Sequence, residues 1–304
     1  YLSNYKKKVE SKKNITKKQI YSWAFYDWAN SAFATTVIAG FFPIFFKSFW
    51  AGDLSPSESS AWLGTANSIS GLAIVFIAPF LGALADISNK KKFFLGFFAF
   101  LGVIFTGSLF FIAQGQWVIA MAVYAMASIG FSGGNVFYDA LLVNVSSKES
   151  RNRVSALGYS LGYLGGGFLF IFNVCMYLYP ESFGLKSITD AVLFSFLSVS
   201  VWWALFTIPI LKFVPEDQNV TSVSFSLNLF TQSFKRVLST FRAIRQYKKL
   251  SIFLLAYWLY IDGVHTIVRM AIAYGSDIGL QSSDMILALI ITQFVGFPAT
   301  IAYG

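Results

Sequence analysis

The stretch AFYDWANSAF, residues 24–33, places a carboxylate and an amide at the beginning of a long apolar run. A transmembrane helix needs about 20 mainly apolar residues, and this run is long enough. Asp27 and Asn30 are three residues apart, so they lie on one face of such a helix. A charged side chain inside a bilayer costs roughly 2.5–3.5 kcal/mol and therefore faces a partner or a water-filled cavity. The stretch predicts a membrane span with one polar face.

The composition of the whole chain predicts several such spans. Of 304 residues, 56% are hydrophobic, 19% are aromatic and only 12% are charged, about half the charged share of a soluble domain. Eight apolar segments are long enough to cross a bilayer. They lie at about 21–49, 60–85, 93–113, 117–145, 154–179, 188–213, 250–274 and 283–304.

The basic residues predict how these spans are oriented. With eight spans, all but Lys47, Lys186 and Arg269 of the 23 lysines and arginines fall on one side of the membrane. By the positive-inside rule that side is cytoplasmic, and it includes the amino-terminal arm, residues 1–20. This asymmetry accounts for the net charge of +9, so nucleic acid is not a predicted partner.

The longest link, residues 214–249, contains a predicted amphipathic segment. Apolar residues recur there at helical spacing between basic ones, as in Phe230, Phe234, Val237, Leu238, Phe241 and Ile244. Such a segment can lie along the membrane surface with its basic face toward anionic headgroups. The alternative is a solvated linker.

An internal repeat predicts the fold. FYDWANS at 25–31 aligns with YIDGVHT at 260–266, six spans later, so that Asp27 matches Asp262 and Asn30 matches His265. Parallel halves of six spans are the plan of major-facilitator transporters. The predicted class is an all-α, multi-pass membrane protein with that fold, in which 21–213 form the first half and 250–304 begin the second. Chance similarity is the alternative.

The link after the second span carries a second sign of this fold. Gly82 is followed by Asp86 and then by a basic cluster that includes Lys90 and Lys91, a spacing that resembles the major-facilitator loop signature. The glycine would allow close helix approach, and the aspartate would latch the cytoplasmic side. The signature usually has glycine before the basic pair, where this chain has Asn89.

Four stretches identify a family by resemblance. They are YDWANSAFATTV (26–37), YDALLVNVSSKESRNRVSALGYSLGYLGGG (138–167), YIDGVHTIV (260–268) and QFVGFPAT (293–300). They resemble the vacuole-effluxer-like family of the major facilitator superfamily, whose fungal namesakes are autophagy-related amino-acid effluxers. The resemblance implies about twelve spans, so about eight would be present in a carboxy-terminally truncated, bacterial member.

The intramembrane polar residues form the predicted substrate and coupling site. Its members lie on the first and seventh spans, Tyr26, Asp27, Asn30, Asp262, His265 and Arg269. The two aspartates are candidates for reversible protonation, His265 titrates near neutral pH, and Arg269 can grip a carboxylate. Alternatively, Asp27 and His265 only pack between helices, and Arg269 extends to the outer membrane surface.

Gating is predicted at the cytoplasmic ends of the spans. Asn135 and Asp139 on the fourth span are candidates to pair with Arg151 or Arg153, and they join Gly82, Asp86, Lys90 and Lys91 in this set. A stripe of Gly158, Gly162 and Gly166 on the fifth span predicts a close neighbouring helix. No metal, cofactor or catalytic motif is found, and the one cysteine, Cys175, excludes a disulfide framework.

These features favour a secondary active transporter that moves a small polar solute, with amino acids the leading class and protons a candidate coupling ion. The predicted protein is monomeric and lies in the cell membrane, the inner membrane if it is bacterial. Two alternatives stay open, an intramembrane lipid-modifying enzyme and a transporter-derived receptor or scaffold.

Overall fold

The computed structural model describes residues 15–216 and 227–304, and within these ranges all regular secondary structure is helical. Eight helices are long and apolar enough to cross a membrane, as the sequence predicts. We number them as spans from first to eighth: Lys17–Trp50, Pro56–Ser88, Lys91–Phe111, Trp117–Val145, Arg151–Leu178, Ile188–Phe213, Lys248–Asp277 and Ser282–Tyr303. The all-α, multi-pass class is confirmed.

Local sequence determines where several spans begin. Ser55 caps the second span in a capping box with Glu58, and Pro56 occupies the first helical turn. Thr16 forms the same box with Gln19 before the first span. These side chains satisfy amide groups that a helix start leaves without partners.

The first span is the most enclosed part of the bundle. Its α-helical part, Lys17–Ala32, packs against the fifth and sixth spans. Wider π-helical turns follow at Phe33–Phe41 and Phe46–Trp50, on either side of a short segment that contains Pro43. A π-turn in a helix is uncommon and is often found beside a functional site.

The glycine stripe of the fifth span lets the first span approach closely, as predicted. A Cβ on Gly162 would lie 2.7 Å from the Ser31 hydroxyl and 3.0 Å from the carboxyl carbon of Asp27. A Cβ on Gly166 would lie 2.9 Å from the Ser31 carbonyl oxygen. Any side chain at these positions would push the first span away.

The two last spans contact the first six at different places. The eighth packs along the fifth, where a Cβ on Gly296 would lie 2.6 Å from the Tyr163 ring. The seventh packs against the first and second, and its buried residues, Ile272, Ala273 and Gly275, lie near its carboxy-terminal end. We call that end of the bundle the far end, and the end at which the first span begins the basic end.

A ninth described helix, Leu227–Gln246, lies in the link between the sixth and seventh spans and contacts the second span. It carries exposed Phe234, Leu238 and Phe241 together with basic residues, so the predicted helical, amphipathic segment is present. Its placement on a membrane surface stays a prediction. The side chain of Phe230 and residues 217–226 lie outside the described residues, as do residues 1–14 of the predicted amino-terminal arm.

Candidate functional site

Asn30 and Asn135 join the first and fourth spans. Asn30 is buried, and its Nδ2 donates a hydrogen bond to Oδ1 of Asn135. One turn before Asn30, Asp27 is partly buried and accepts a long hydrogen bond from the Ser31 hydroxyl at 3.4 Å. Asn135, which the sequence places in the gate, therefore lies against the predicted substrate site.

Asp139 lies one turn beyond Asn135 on the fourth span. Its side chain is exposed, and its charge acts on Asp27. Among residues 15–216 and 227–304, neither Asp27 nor Asp139 forms an ion pair, so the predicted pairing of Asp139 with Arg151 or Arg153 is not seen. We call Asp27, Asn30, Asn135 and Asp139 the polar site.

Aromatic side chains form one wall of the polar site. The rings of Trp23 and Tyr138 stack with their centroids 4.3 Å apart, and Tyr26 lies 5.2 Å from Tyr138. The Trp23 indole donates to the Tyr138 carbonyl oxygen at 2.9 Å. The hydroxyl groups of Tyr26 and Tyr138 are buried, and neither makes a hydrogen bond in the described part of the chain. The Tyr26 hydroxyl lies near the side chains of Asn30 and Trp203, but the atoms are not placed for a hydrogen bond.

The seventh span carries the rest of the predicted site. Asp262 and His265 are exposed, and His265 interacts electrostatically with Asp262 and Arg269. Arg269 is partly buried, and its Nη1 lies 3.4 Å from Oδ1 of Asn67 on the second span. That oxygen also accepts a hydrogen bond of 2.9 Å from the Tyr124 hydroxyl. Arg269 thus points between the helices rather than toward the membrane surface.

The distance between these two groups of residues can be measured along the fourth span. Tyr124, which belongs to the Arg269 group, and Asn135, which belongs to the polar site, are both on this helix. They are separated by about 16 Å along the axis at the helical rise of 1.5 Å per residue. The structure brings Asp27 and Asn30 together with Asn135 and Asp139, and holds Arg269 at a distance from them.

The link after the second span forms a short ion-paired turn. Asp86 pairs with Lys91 at 3.0 Å. Asn89 ends the second span with a left-handed backbone, φ 52° and ψ 45°, a conformation that glycine and asparagine tolerate best. Asparagine therefore replaces the usual glycine here without loss of the turn. A Cβ on Gly82 would meet no atom within 4 Å among the described residues, so the close approach expected at Gly82 is not seen.

The far end holds a contact that the sequence analysis missed. Lys47 of the first span pairs with Asp277 of the seventh at 2.5 Å and donates to the Ala273 carbonyl oxygen at 3.0 Å. Ser60 of the second span donates to the same carboxylate. The signal was a lysine at the end of one apolar run and an aspartate at the end of another, but pairing them needs the packing of the first span on the seventh.

Comparison with known proteins places the chain in a family. The model of the family described as "Vacuole effluxer Atg22 like" matches residues 56–144 and 143–303. The chain is 42% identical over 277 residues to the "Uncharacterized MFS-type transporter YxiO" of Bacillus subtilis. The aligned region covers 90% of this chain and 64% of that protein.

More distant relatives are fungal and bacterial. Autophagy-related protein 22 of Yarrowia lipolytica is 26% identical over 169 residues, 49% of this chain and 28% of that protein. An uncharacterized protein of Aquifex aeolicus is 31% identical over 125 residues, 41% of this chain and 32% of that protein. The chain thus spans less than two thirds of the length of each relative. The family model matches most of the chain, so this protein belongs to the vacuole effluxer Atg22-like family.

Proposed function

We propose that the protein is part of a secondary active transporter that moves a small polar solute across a membrane by alternating access. The observation that carries the proposal is the polar site, which places the partly buried Asp27 and two hydrogen-bonded amides between apolar helices, with the exposed Asp139 one turn from Asn135. Such groups are rare in membrane spans and mark solute or ion pathways. The printed name of the Bacillus relative, an MFS-type transporter, supports the same activity.

Amino acids are the leading class of solute. Their ammonium group is matched by Asp27 or Asp262, and their carboxylate by the planar fork of Arg269. The nitrogen and the carboxyl carbon of an α-amino acid are about 2.5 Å apart, because only two bonds join them. The roughly 16 Å between the Arg269 group and the polar site is far larger. In this conformation one amino acid is too small to contact the Arg269 group and the polar site at the same time, so it would contact them one after the other.

Protons are the proposed coupling ion. Asp27 and Asp262 are carboxylates inside membrane spans, and His265 is the only histidine of the chain. A group that binds a proton on one side of the membrane and releases it on the other links solute movement to a proton gradient.

The two ends of the bundle supply the proposed gates. At the basic end, which the lysine and arginine distribution assigns to the cytoplasm, we assign gating to Gly82, Asp86, Lys90 and Lys91, and to Arg151 and Arg153 at the start of the fifth span. Asn135 and Asp139, also predicted to gate, are assigned instead to the polar site that they adjoin. At the far end, Lys47, Ser60 and Asp277 close the bundle between the first, second and seventh spans.

Transport in proteoliposomes tests this proposal. The full-length protein is reconstituted, loaded with a mixture of unlabelled amino acids, and assayed for counterflow of each labelled amino acid. Counterflow above that of empty liposomes is expected for at least one amino acid and is expected to fall at least tenfold in Asp27→Asn. Asp53→Asn, an exposed change in the loop after the first span, is the matched control. A folded, monodisperse protein without counterflow of any tested solute would contradict the proposal and favour an enzyme or a receptor.

A further inference from the structure

The link between the sixth and seventh spans carries many positive charges where its helix joins the seventh span. The stretch 227–249 has six basic residues and no aspartate or glutamate, and all six side chains are exposed. They are Lys235, Arg236, Arg242, Arg245, Lys248 and Lys249. None of them forms an ion pair within residues 15–216 and 227–304. A surface of this charge attracts an anionic partner.

The helix of this link, Leu227–Gln246, presents apolar side chains on two neighbouring stripes. Val237 and Ile244 are half-buried, and the helix contacts the second span, so one stripe packs against the protein. The other stripe has the spacing i, i+4 and i+7, and its residues Phe234, Leu238 and Phe241 are 64%, 42% and 63% exposed. We call it the open stripe. Packing against the described part of the chain therefore leaves a row of large apolar side chains uncovered.

Three of the basic residues border the open stripe. Lys235 is three residues before Leu238 and Arg242 is four residues after it, so both are its neighbours on the helix surface. Arg245 is four residues after Phe241 and therefore continues the stripe itself. Arg236, two residues before Leu238, lies on the other side of the helix. An apolar stripe bordered by basic residues is typical of a helix that lies in the membrane interface.

The position of this helix in the chain brings it to the membrane. Only Tyr247 separates it from the seventh span, which begins at Lys248. That span begins at the basic end of the bundle, because Asp277 near its other end pairs with Lys47 at the far end. Tyr247 is 64% exposed, and tyrosine is enriched at membrane–water interfaces. The carboxy-terminal end of the helix thus lies where a span enters the bilayer, which favours the lipid surface over a soluble acidic protein as its partner.

We propose that the helix Leu227–Gln246 docks on anionic phospholipids of the leaflet at the basic end. The open stripe enters the boundary between headgroups and acyl chains, and Lys235, Arg242 and Arg245 contact the lipid phosphates. A cluster of about 4–8 basic residues beside a membrane span is the usual composition of an anionic-lipid site. Because the helix leads directly into the seventh span, docking also fixes where that span begins. This lipid site is additional to the proposed transport function and needs no solute.

A fluorescent probe on the open stripe tests the inference. Leu238→Cys is made in the full-length protein without other cysteines, with Cys175→Ala included, labelled with acrylodan and placed in nanodiscs of phosphatidylcholine with or without phosphatidylglycerol. Quenching by acrylamide, which is neutral, is expected to be about threefold weaker in the discs with phosphatidylglycerol, because the probe leaves the water. A probe at Thr240→Cys, exposed and outside the open stripe, is expected to be quenched equally in both kinds of disc.

Two triple variants, each with the Leu238 probe, test the role of charge. The first removes the charges that border the open stripe, as Lys235→Gln/Arg242→Gln/Arg245→Gln. The second removes equally many exposed charges elsewhere, as Arg236→Gln/Lys148→Gln/Lys186→Gln. Each basic residue at an anionic surface contributes a factor of about five to binding, so the first variant is expected to weaken docking on the order of a hundredfold and to abolish the difference between the discs. The second is expected to keep that difference, and since all six positions are exposed both variants are expected to fold.

Three results would overturn the inference. Equal quenching of the Leu238 probe in both kinds of disc would leave the helix as a solvated linker or as a surface for an acidic protein. A difference that the Thr240 probe shows equally would mean that the lipid changes the whole helix rather than covering the open stripe. A difference that survives the first triple variant, or that both triple variants lose alike, would exclude recognition by the bordering charges. No solute is present, so none of these results depends on the transport proposal.

Discussion

Asn30 is an amide in an apolar helix, and its partner lies 105 residues away in the sequence. A hydrogen bond between membrane helices contributes about 0.6 kcal/mol on average and up to about 1.7 kcal/mol, because unfolded chains in a membrane also find partners. Asn30 thus contributes modestly to stability, and its greater effect is to hold the first and fourth spans in register beside Asp27.

A double-mutant cycle measures this bond. Asn30→Ala and Asn135→Ala are expected to show a coupling free energy of about 0.6–1.7 kcal/mol in unfolding by denaturing detergent. The control pair is Asn30→Ala with Thr65→Ala, since Thr65 bonds only its own helix through the Ala61 carbonyl oxygen. Additive effects in the test pair would show that the bond does not form.

Asn89 tests the backbone of the loop after the second span. Its left-handed conformation disfavours residues with an ordinary Cβ by roughly 1–2 kcal/mol. Asn89→Gly is therefore expected to be more stable than Asn89→Ala by about 1 kcal/mol, measured by thermal unfolding in detergent. Equal stability of the two variants would mean that the turn relaxes at no cost.

The element that positions the polar site is the fifth span. Its glycines face the first span at the level of Asp27 and Ser31, and the two helices can approach only because these positions have no side chain. The proposed transport site depends on this approach.

Alanine substitutions along this helix test the packing. A Cβ on Gly166 would meet the backbone of Ser31, at 2.9 Å from its carbonyl oxygen and 3.2 Å from its carbonyl carbon, so Gly166→Ala is expected to destabilise by about 1–3 kcal/mol. Gly71→Ala in the second span is the control, because a Cβ there meets nothing within 4 Å in the described chain. Thermal unfolding followed by size-exclusion chromatography measures both. Equal melting temperatures would contradict the packing.

At the scale of the whole molecule, the seventh span is held at the far end and exposed along most of the rest of its length. Lys47, Ser60 and Asp277 connect three spans there, and Ala273 is fully buried one turn away. In the proposed alternating-access cycle, this contact must break when the far side opens.

Cysteine labelling tests the contact. In a Cys175→Ala background, Ala273→Cys is expected to react slowly with a polar maleimide and several-fold faster when Asp277→Asn is added, because the Lys47 pair that holds the helix is lost. The exchanged pair Lys47→Asp with Asp277→Lys is expected to restore slow labelling. If the labelling rate is the same in the parent, in Asp277→Asn and in the exchanged pair, the Lys47–Asp277 ion pair does not hold the far end of the bundle closed.

The sequence by itself determined the eight spans, the acidic and basic residues of the loop after the second and the glycine face of the fifth. Each follows from local physics: run length, charge beside a helix end, or small residues at helical spacing. Asp27, Asn30, Asp262, His265 and Arg269 were also found from sequence, because polar residues stand out in an apolar helix. Which of these residues lie together could not be found from the sequence. Only the tertiary structure joined Asn30 to Asn135, turned Arg269 toward Asn67 and paired Lys47 with Asp277. Helical periodicity fixes which face of a span is polar, whereas the choice of facing helix depends on packing between segments far apart in the chain.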